Sequence, residues 1–76
     1  MSADQELRLM VAEQLTLVQQ EIDKLKEPNR TMLMLHDVEE VSISDLTERF
    51  QMTEESVKSR LKRSRAVVRQ NLLDMM

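Results

Sequence analysis

The stretch "SISDLTERFQMTEESVKSRLKRSRAVV", residues 42–68, predicts two helices joined by a very short turn. Ser42 stands three residues before Asp45, and Thr53 directly precedes Glu54 and Glu55. Both are the pattern of a helix N-cap whose hydroxyl accepts a backbone N–H. These caps and the apolar spacing place one helix at about 43–50 and the next at about 54–73. Two helices that meet so closely form a helix-turn-helix, whose second helix usually enters the DNA major groove.

The second of these helices has an apolar side and a cationic side. At about 100° per residue, its apolar stripe centres on Val57, Leu61 and Val68. The opposite, exposed side gathers Glu55, Lys58, Ser59, Lys62, Ala66 and Arg69, with Arg60 and Arg63 flanking it. A core-facing stripe opposite a cationic, small-polar face is what a recognition helix requires, because the flanking DNA phosphates demand Lys or Arg.

Charge is distributed unevenly along the chain, whose net charge is −3. Residues 1–57 hold five basic and thirteen acidic side chains, a balance of −8, whereas residues 58–76 hold six basic and one acidic, a balance of +5. An acidic body with one basic helix repels polyanions everywhere but on one face, which favours an oriented encounter with nucleic acid. The alternative is a solvated helix whose charges serve only solubility.

The rest of the chain predicts an all-α fold, since the sequence has no Gly, a single aromatic residue and apolar residues at helical spacing. We expect a first helix over about 4–26 and, because Pro28 suits the first turn of a helix, a second over about 28–38. The repeat in the first helix is Leu7, Val11, Leu15 (or Gln14), Val18, Ile22 and Leu25. Residues 1–76 are then one four-helix domain.

Several functions are excluded by composition. Without Cys there is no disulfide and no thiolate metal site, and the lone His36 cannot hold a metal or serve as a catalytic base, so no cofactor is expected. His36, Ser42 and Asp45 could be named as a triad, but a chain without Gly offers no oxyanion loop, and so small a helical domain has no room for a ligand pocket. We therefore expect no enzyme. No apolar run reaches membrane-spanning length and the N-terminus does not resemble a signal sequence, which predicts a cytoplasmic protein.

The segment "EPNRTMLMLHDVEEVSISDLTERFQMTEESVKSRLKRSRAVV" resembles a known family. It is similar to region four of bacterial sigma factors, specifically the extracytoplasmic-function group of the sigma-seventy family, over residues 25–70. "VKSRLKRSR" is the most specific part, because Ser59-Arg60 follows Lys58 where response regulators with a similar helix-turn-helix tend to have His or Leu.

The resemblance implies a four-helix domain of the winged-helix-like, sigma region-four type that acts in transcription initiation. It would read the −35 element of double-stranded promoter DNA and contact the β flap of the RNA polymerase core, with an anti-sigma factor as a further partner. By position, Lys58, Ser59 and Lys62 fall where the family reads base edges, and Arg60, Arg63 and Arg65 fall where it contacts phosphates. His36 falls where many members have a DNA-contacting Arg; the alternative is a half-exposed surface residue.

Four acidic or polar residues depart from the family pattern. Glu40 and Gln51 stand where the family commonly has Gly, so either the turns avoid positive φ or each residue bears a strain of roughly 1–2 kcal/mol. Glu54 and Glu55 replace small or apolar residues at the start of the recognition helix. Glu55 could accept from cytosine N4 as a base-reading residue, weaken DNA binding by repelling phosphate, or simply complement the helix dipole.

A second hypothesis is a protein-interaction module of the same fold that binds an anti-sigma factor or the β flap and has little DNA binding of its own. It would use an apolar surface around Met32, Leu33 and Met34. Because 76 residues leave no room for the region-two domain of a sigma factor, we expect either an excised C-terminal domain or a stand-alone regulator.

Overall fold

The computed structural model describes residues 15–75, together with Gln5 and Leu9. Within residues 15–75 every regular element is helical: α1 is Leu15–Asp23, α2 is Asn29–Leu33, α3 is Ile43–Phe50 and α4 is Glu54–Asp74. A single π-helical turn, Met34–Val38, continues α2. The predicted all-α fold with a C-terminal helix-turn-helix is confirmed.

The first helix ends earlier than predicted. It stops at Asp23, and the chain tightens into bonds between residues three apart, from the Lys24 N–H to the Glu21 carbonyl at 3.2 Å and from the Leu25 N–H to the Ile22 carbonyl at 2.9 Å. Gln5 and Leu9 are helical. The remaining residues of the predicted first helix before position 15, including Leu7, Val11 and Gln14, lie outside the described residues.

Local side-chain contacts set the start of α2. Pro28 occupies the N-cap position, and the Glu27 carboxylate accepts both the Thr31 backbone N–H, at 2.8 Å, and the Thr31 hydroxyl. The π-helical turn that follows closes through a bond from the Glu39 N–H to the Met34 carbonyl, at 3.1 Å, between residues five apart.

The two caps of the helix-turn-helix form as the sequence pattern predicts. Ser42 Oγ accepts from the Asp45 N–H and Thr53 Oγ1 accepts from the Ser56 N–H, both at 3.1 Å. Each bond satisfies a backbone donor that the first turn of a helix would otherwise leave unpaired.

Both positions at which the family commonly has Gly adopt positive φ. Gln51, the C-cap of α3, has φ 52° and ψ 49°, and Glu40 has φ 61°. Of the two alternatives, the turns therefore keep the left-handed backbone and carry its steric strain, because a Cβ atom crowds the following carbonyl there.

The core lies between α4 and the other three helices. Its buried side chains are Val18, Ile22, Met32, Leu33, Leu46, Val57, Leu61, Val68 and Leu72. Of the apolar surface expected around Met32, Leu33 and Met34, the first two side chains are completely buried and unavailable to a partner, whereas Met34 is half-buried. The domain uses Met32 and Leu33 for its own core.

Candidate nucleic-acid interface

One side of α4 presents the four candidate base-reading side chains to solvent. Glu55, Lys58, Ser59 and Lys62 are all exposed, whereas the opposite stripe of Val57, Leu61 and Val68 is buried. Because the buried stripe fixes the rotation of the helix, the exposed face points away from the body of the domain. It can enter a groove without disturbing the core.

Within this face, Lys58 is paired with Glu54 one helical turn earlier. Lys58 Nζ lies 2.8 Å from Glu54 Oε1, and both side chains are well exposed. The hydrogen bond from Lys58, and then its positive charge, lower the pKa of Glu54. The same hydrogen bond and the Glu54 charge raise the pKa of Lys58, to which the charge of Glu55 also contributes.

Arg60 and Arg63 lie on one flank of the exposed face. Arg63 is exposed, whereas Arg60 is half-buried and donates from Nη1 to Asn29 Oδ1 at 3.1 Å. The two arginines border a groove of about 370 Å³ between α4 and the segment that joins α1 to α2. The residues that line it are Leu25, Asn29, Arg60, Arg63, Ser64 and Val67, so its charged walls are all cationic.

Arg65 has a different role from the one predicted. Its Nε and Nη2 donate to the two carboxylate oxygens of Asp37 at 2.7 and 2.8 Å, and the side chains are only 8% and 2% exposed. A guanidinium that is buried and bound to a carboxylate is not available to a DNA phosphate. This burial and pairing argue against the predicted phosphate contact at Arg65, and the residue joins α4 to the π-helical turn.

His36 lies beside this ion pair in a mostly buried position. Its Nδ1 is 2.8 Å from the Val41 carbonyl oxygen, its Nε2 is 4.0 Å from Asp37 Oδ1, and its side chain is 16% exposed. Because a carbonyl oxygen only accepts, Nδ1 carries a proton in this contact. The ring thus fastens the end of the π-helical turn, while a DNA contact by His36 stays a prediction.

The sequence interpretation missed Asp37 and Asn29, which position two of the arginines. For Arg65 a signal existed: it lies four residues after Leu61 and three before Val68, which places it on the buried stripe, where a charge needs a partner. For Asn29 the sequence held no such signal, since its contact with Arg60 spans thirty-one residues.

The part of the chain that the structure describes contains no cluster of three or more His, Cys, Asp or Glu side chains suited to a metal ion. No helix in that part is both long and apolar enough to span a bilayer.

Comparison with known proteins gives one family. The family described as "Sigma-70, region 4" matches residues 15–67, which includes α1 to α3 and the first two thirds of α4. No curated protein matches the chain significantly. No solved structure does so either. The match extends over more than half of the chain and includes α3, the turn and the candidate base-reading residues of α4. We conclude that the chain belongs to the sigma-70 region 4 family, a family of DNA-binding domains of transcription initiation.

Proposed function

We propose that this domain recognises a promoter −35 element through α4 while it contacts the RNA polymerase core, as part of, or beside, a bacterial sigma factor of the extracytoplasmic-function group in the cytoplasm. The observation that carries the proposal is the exposed face of α4. Four polar side chains are presented there on a helix held rigidly by its opposite side.

The roles within this face follow from donor and acceptor chemistry. Lys58 and Lys62 can donate to the O6 and N7 acceptors of guanine, the Ser59 hydroxyl can bond to more than one base, and Glu55 can accept from cytosine N4. Lys58 is in the first two turns of α4, the part of a recognition helix that reaches base edges. Base choice is thus expected to depend most on Lys58.

The flank of α4 supplies the contacts that position the helix on the duplex. Arg63 is exposed, and the Asn29 amide holds the Arg60 guanidinium at the edge of the same flank. Phosphate contacts fix register but carry no sequence information. We assign this role to Arg60 and Arg63, keep His36 as a further candidate, and leave out Arg65.

The test begins with selection of a preferred site from a randomised duplex pool. Fluorescence anisotropy then compares that site with a scrambled duplex. We expect clear discrimination by the wild-type domain and a loss of roughly 1–3 kcal/mol on the preferred site for Lys58→Ala, with relaxed choice at one base pair. Thr16→Ala, at an exposed position of α1, is the surface control. A wild-type domain that binds both duplexes alike would contradict base reading.

A second candidate function, binding an anti-sigma factor or the β flap with little DNA binding, is favoured by apolar side chains left on the surface. They are Leu9, Leu15, Leu17, Val67, Leu73 and Met75. An apolar contact with a partner helix would depend little on salt, whereas phosphate contacts make affinity fall steeply with salt. Binding of a β-flap peptide and of duplex DNA, each measured over a salt series, separates the two functions.

A further inference from the structure

The ion pair between Glu54 and Lys58 lies on the surface that the proposed function assigns to DNA. Glu54 is the first residue of α4 and Lys58 follows one turn later, with Nζ and Oε1 2.8 Å apart. Both side chains are more than half exposed, so the pair is not needed to neutralise a buried charge. In the free domain, the ammonium group assigned to base reading is thus already hydrogen-bonded.

We infer that Glu54 is an affinity-determining residue, whose carboxylate competes with DNA for the Lys58 ammonium group and lowers the affinity of α4 for duplex DNA. This inference rests on the proposed function, because it requires α4 to be the helix that meets DNA. It assigns Glu54 a part in recognition without any contact between Glu54 and a base.

The effect of the competition on affinity depends on the DNA sequence. A site that offers Lys58 two guanine acceptors binds through Lys58 only after the Glu54 hydrogen bond is lost. A duplex that does not bind Lys58 leaves the Glu54–Lys58 pair intact, so its affinity is not lowered by the loss of that hydrogen bond. Removing the carboxylate should therefore help the preferred site at least as much as a scrambled one.

The effect is modest, because an exposed pair between residues four apart on a helix is weak. Its loss corresponds to roughly a twofold to fivefold gain in affinity, and the gain should shrink as salt screens the charges. Simple repulsion between a carboxylate and phosphates would also raise affinity when Glu54 is neutralised, so the test must separate the two causes.

Glu55 provides a control for charge alone on the scrambled duplex, where the cytosine contact proposed for Glu55 plays no part. It is the next residue, is exposed on the same helix and carries the same charge, but it acts on Lys58 only through the charge and not through a hydrogen bond. Repulsion of phosphate should be similar for the two glutamates. Competition for the ammonium group should be much stronger for Glu54.

The experiment is a double-mutant cycle on the full chain, with the selected and scrambled duplexes as probes. Glu54→Gln and Glu55→Gln are each made in the wild type and in Lys58→Ala, and affinities are measured at low and high salt. We expect Glu54→Gln to bind the selected duplex about twofold to fivefold more tightly at low salt and to lose that gain in the Lys58→Ala background. On the scrambled duplex, any gain from Glu55→Gln should be the same in the wild-type and Lys58→Ala backgrounds.

An equal gain from Glu54→Gln with and without Lys58 would overturn the competition, and so would a decrease in affinity. Circular dichroism verifies that each variant keeps the helical content of the wild type. Glu54→Ala repeats the affinity measurement with a different side chain. If the wild type discriminates between duplexes but Glu54→Gln gains nothing, the competition fails and the proposed function stands. If no variant discriminates, the proposed function fails and the competition fails with it.

Discussion

The Arg65 guanidinium and the Asp37 carboxylate form a two-bond ion pair in the interior of the domain, with N–O distances of 2.7 and 2.8 Å. The pair spans twenty-eight residues and joins α4 to the π-helical turn after α2. Because the pair fixes a point in the middle of α4, it helps to determine which side of the helix faces solvent. Arg65, a charged residue of the basic segment, thus supports the exposed face of α4 from the buried side of the helix.

Removing one member of this pair should destabilise the domain strongly. Asp37→Ala leaves the Arg65 charge buried without its carboxylate, which costs about 3–5 kcal/mol. Replacing both residues, as Asp37→Leu with Arg65→Met, removes the charge and its partner together and should cost far less. Urea unfolding of the wild type, the single variant and the double variant measures the differences in the free energy of unfolding. Equal destabilisation by the single and the double replacement would contradict this account.

Relief of the left-handed strain should stabilise the domain. Gln51 has φ 52°, so Gln51→Gly removes the Cβ clash, and after the entropy that Gly loses on folding the gain should be about 0.5–1 kcal/mol. Glu40→Gly should behave similarly at φ 61°. Gln51→Ala is the control, since alanine keeps the Cβ atom. Thermal unfolding is the measurement, and a lower midpoint for Gln51→Gly than for Gln51→Ala would contradict the prediction.

The two flanking arginines should differ from Lys58 in their effect on binding. Arg60→Ala or Arg63→Ala should weaken binding to the selected and scrambled duplexes alike and reduce the slope of log affinity against log salt by about one. Arg63→Ala is the cleaner variant, because Arg60→Ala also removes the hydrogen bond to Asn29. Salt titrations by anisotropy provide the slopes. A change confined to the selected duplex would show that the arginine reads bases.

The exposed pair of Glu54 and Lys58 on α4 predicts that the stability of the domain depends on pH in the acidic and in the alkaline range. The pKa of Glu54 lies below its ordinary 4.5, mainly through the hydrogen bond from Lys58, so its contribution to stability is complete above the unfolded-state pKa and is lost as pH falls through the folded-state pKa. The pKa of Lys58 lies above 10.5, so its contribution is complete below 10.5 and is lost as pH rises through the raised value.

An NMR titration of the Glu54 carboxyl carbon tests this coupling directly. In Lys58→Ala the titration midpoint of Glu54 should move up towards 4.5, because both causes of the lowered pKa are absent. An unchanged Glu54 midpoint would mean that the pair does not persist in solution.

The sequence by itself determined the features that depend on near neighbours. The caps at Ser42 and Thr53, the short turn between α3 and α4 and the apolar stripe of α4 all arise within a few residues, so residue type and spacing suffice to predict them. Even the exposed face could be predicted, because a helix with one buried side must present the other.

Only the tertiary structure decided what became of individual charged and apolar side chains. Arg65 was predicted to contact phosphate but lies inside the domain, where it pairs with a carboxylate from a distant segment. Met32 and Leu33 were predicted to form a partner surface, yet α4 buries them. Burial and pairing depend on which elements meet in space. Those contacts join residues far apart in the sequence, such as Asn29 and Arg60, which are thirty-one positions apart, and no local pattern extends so far.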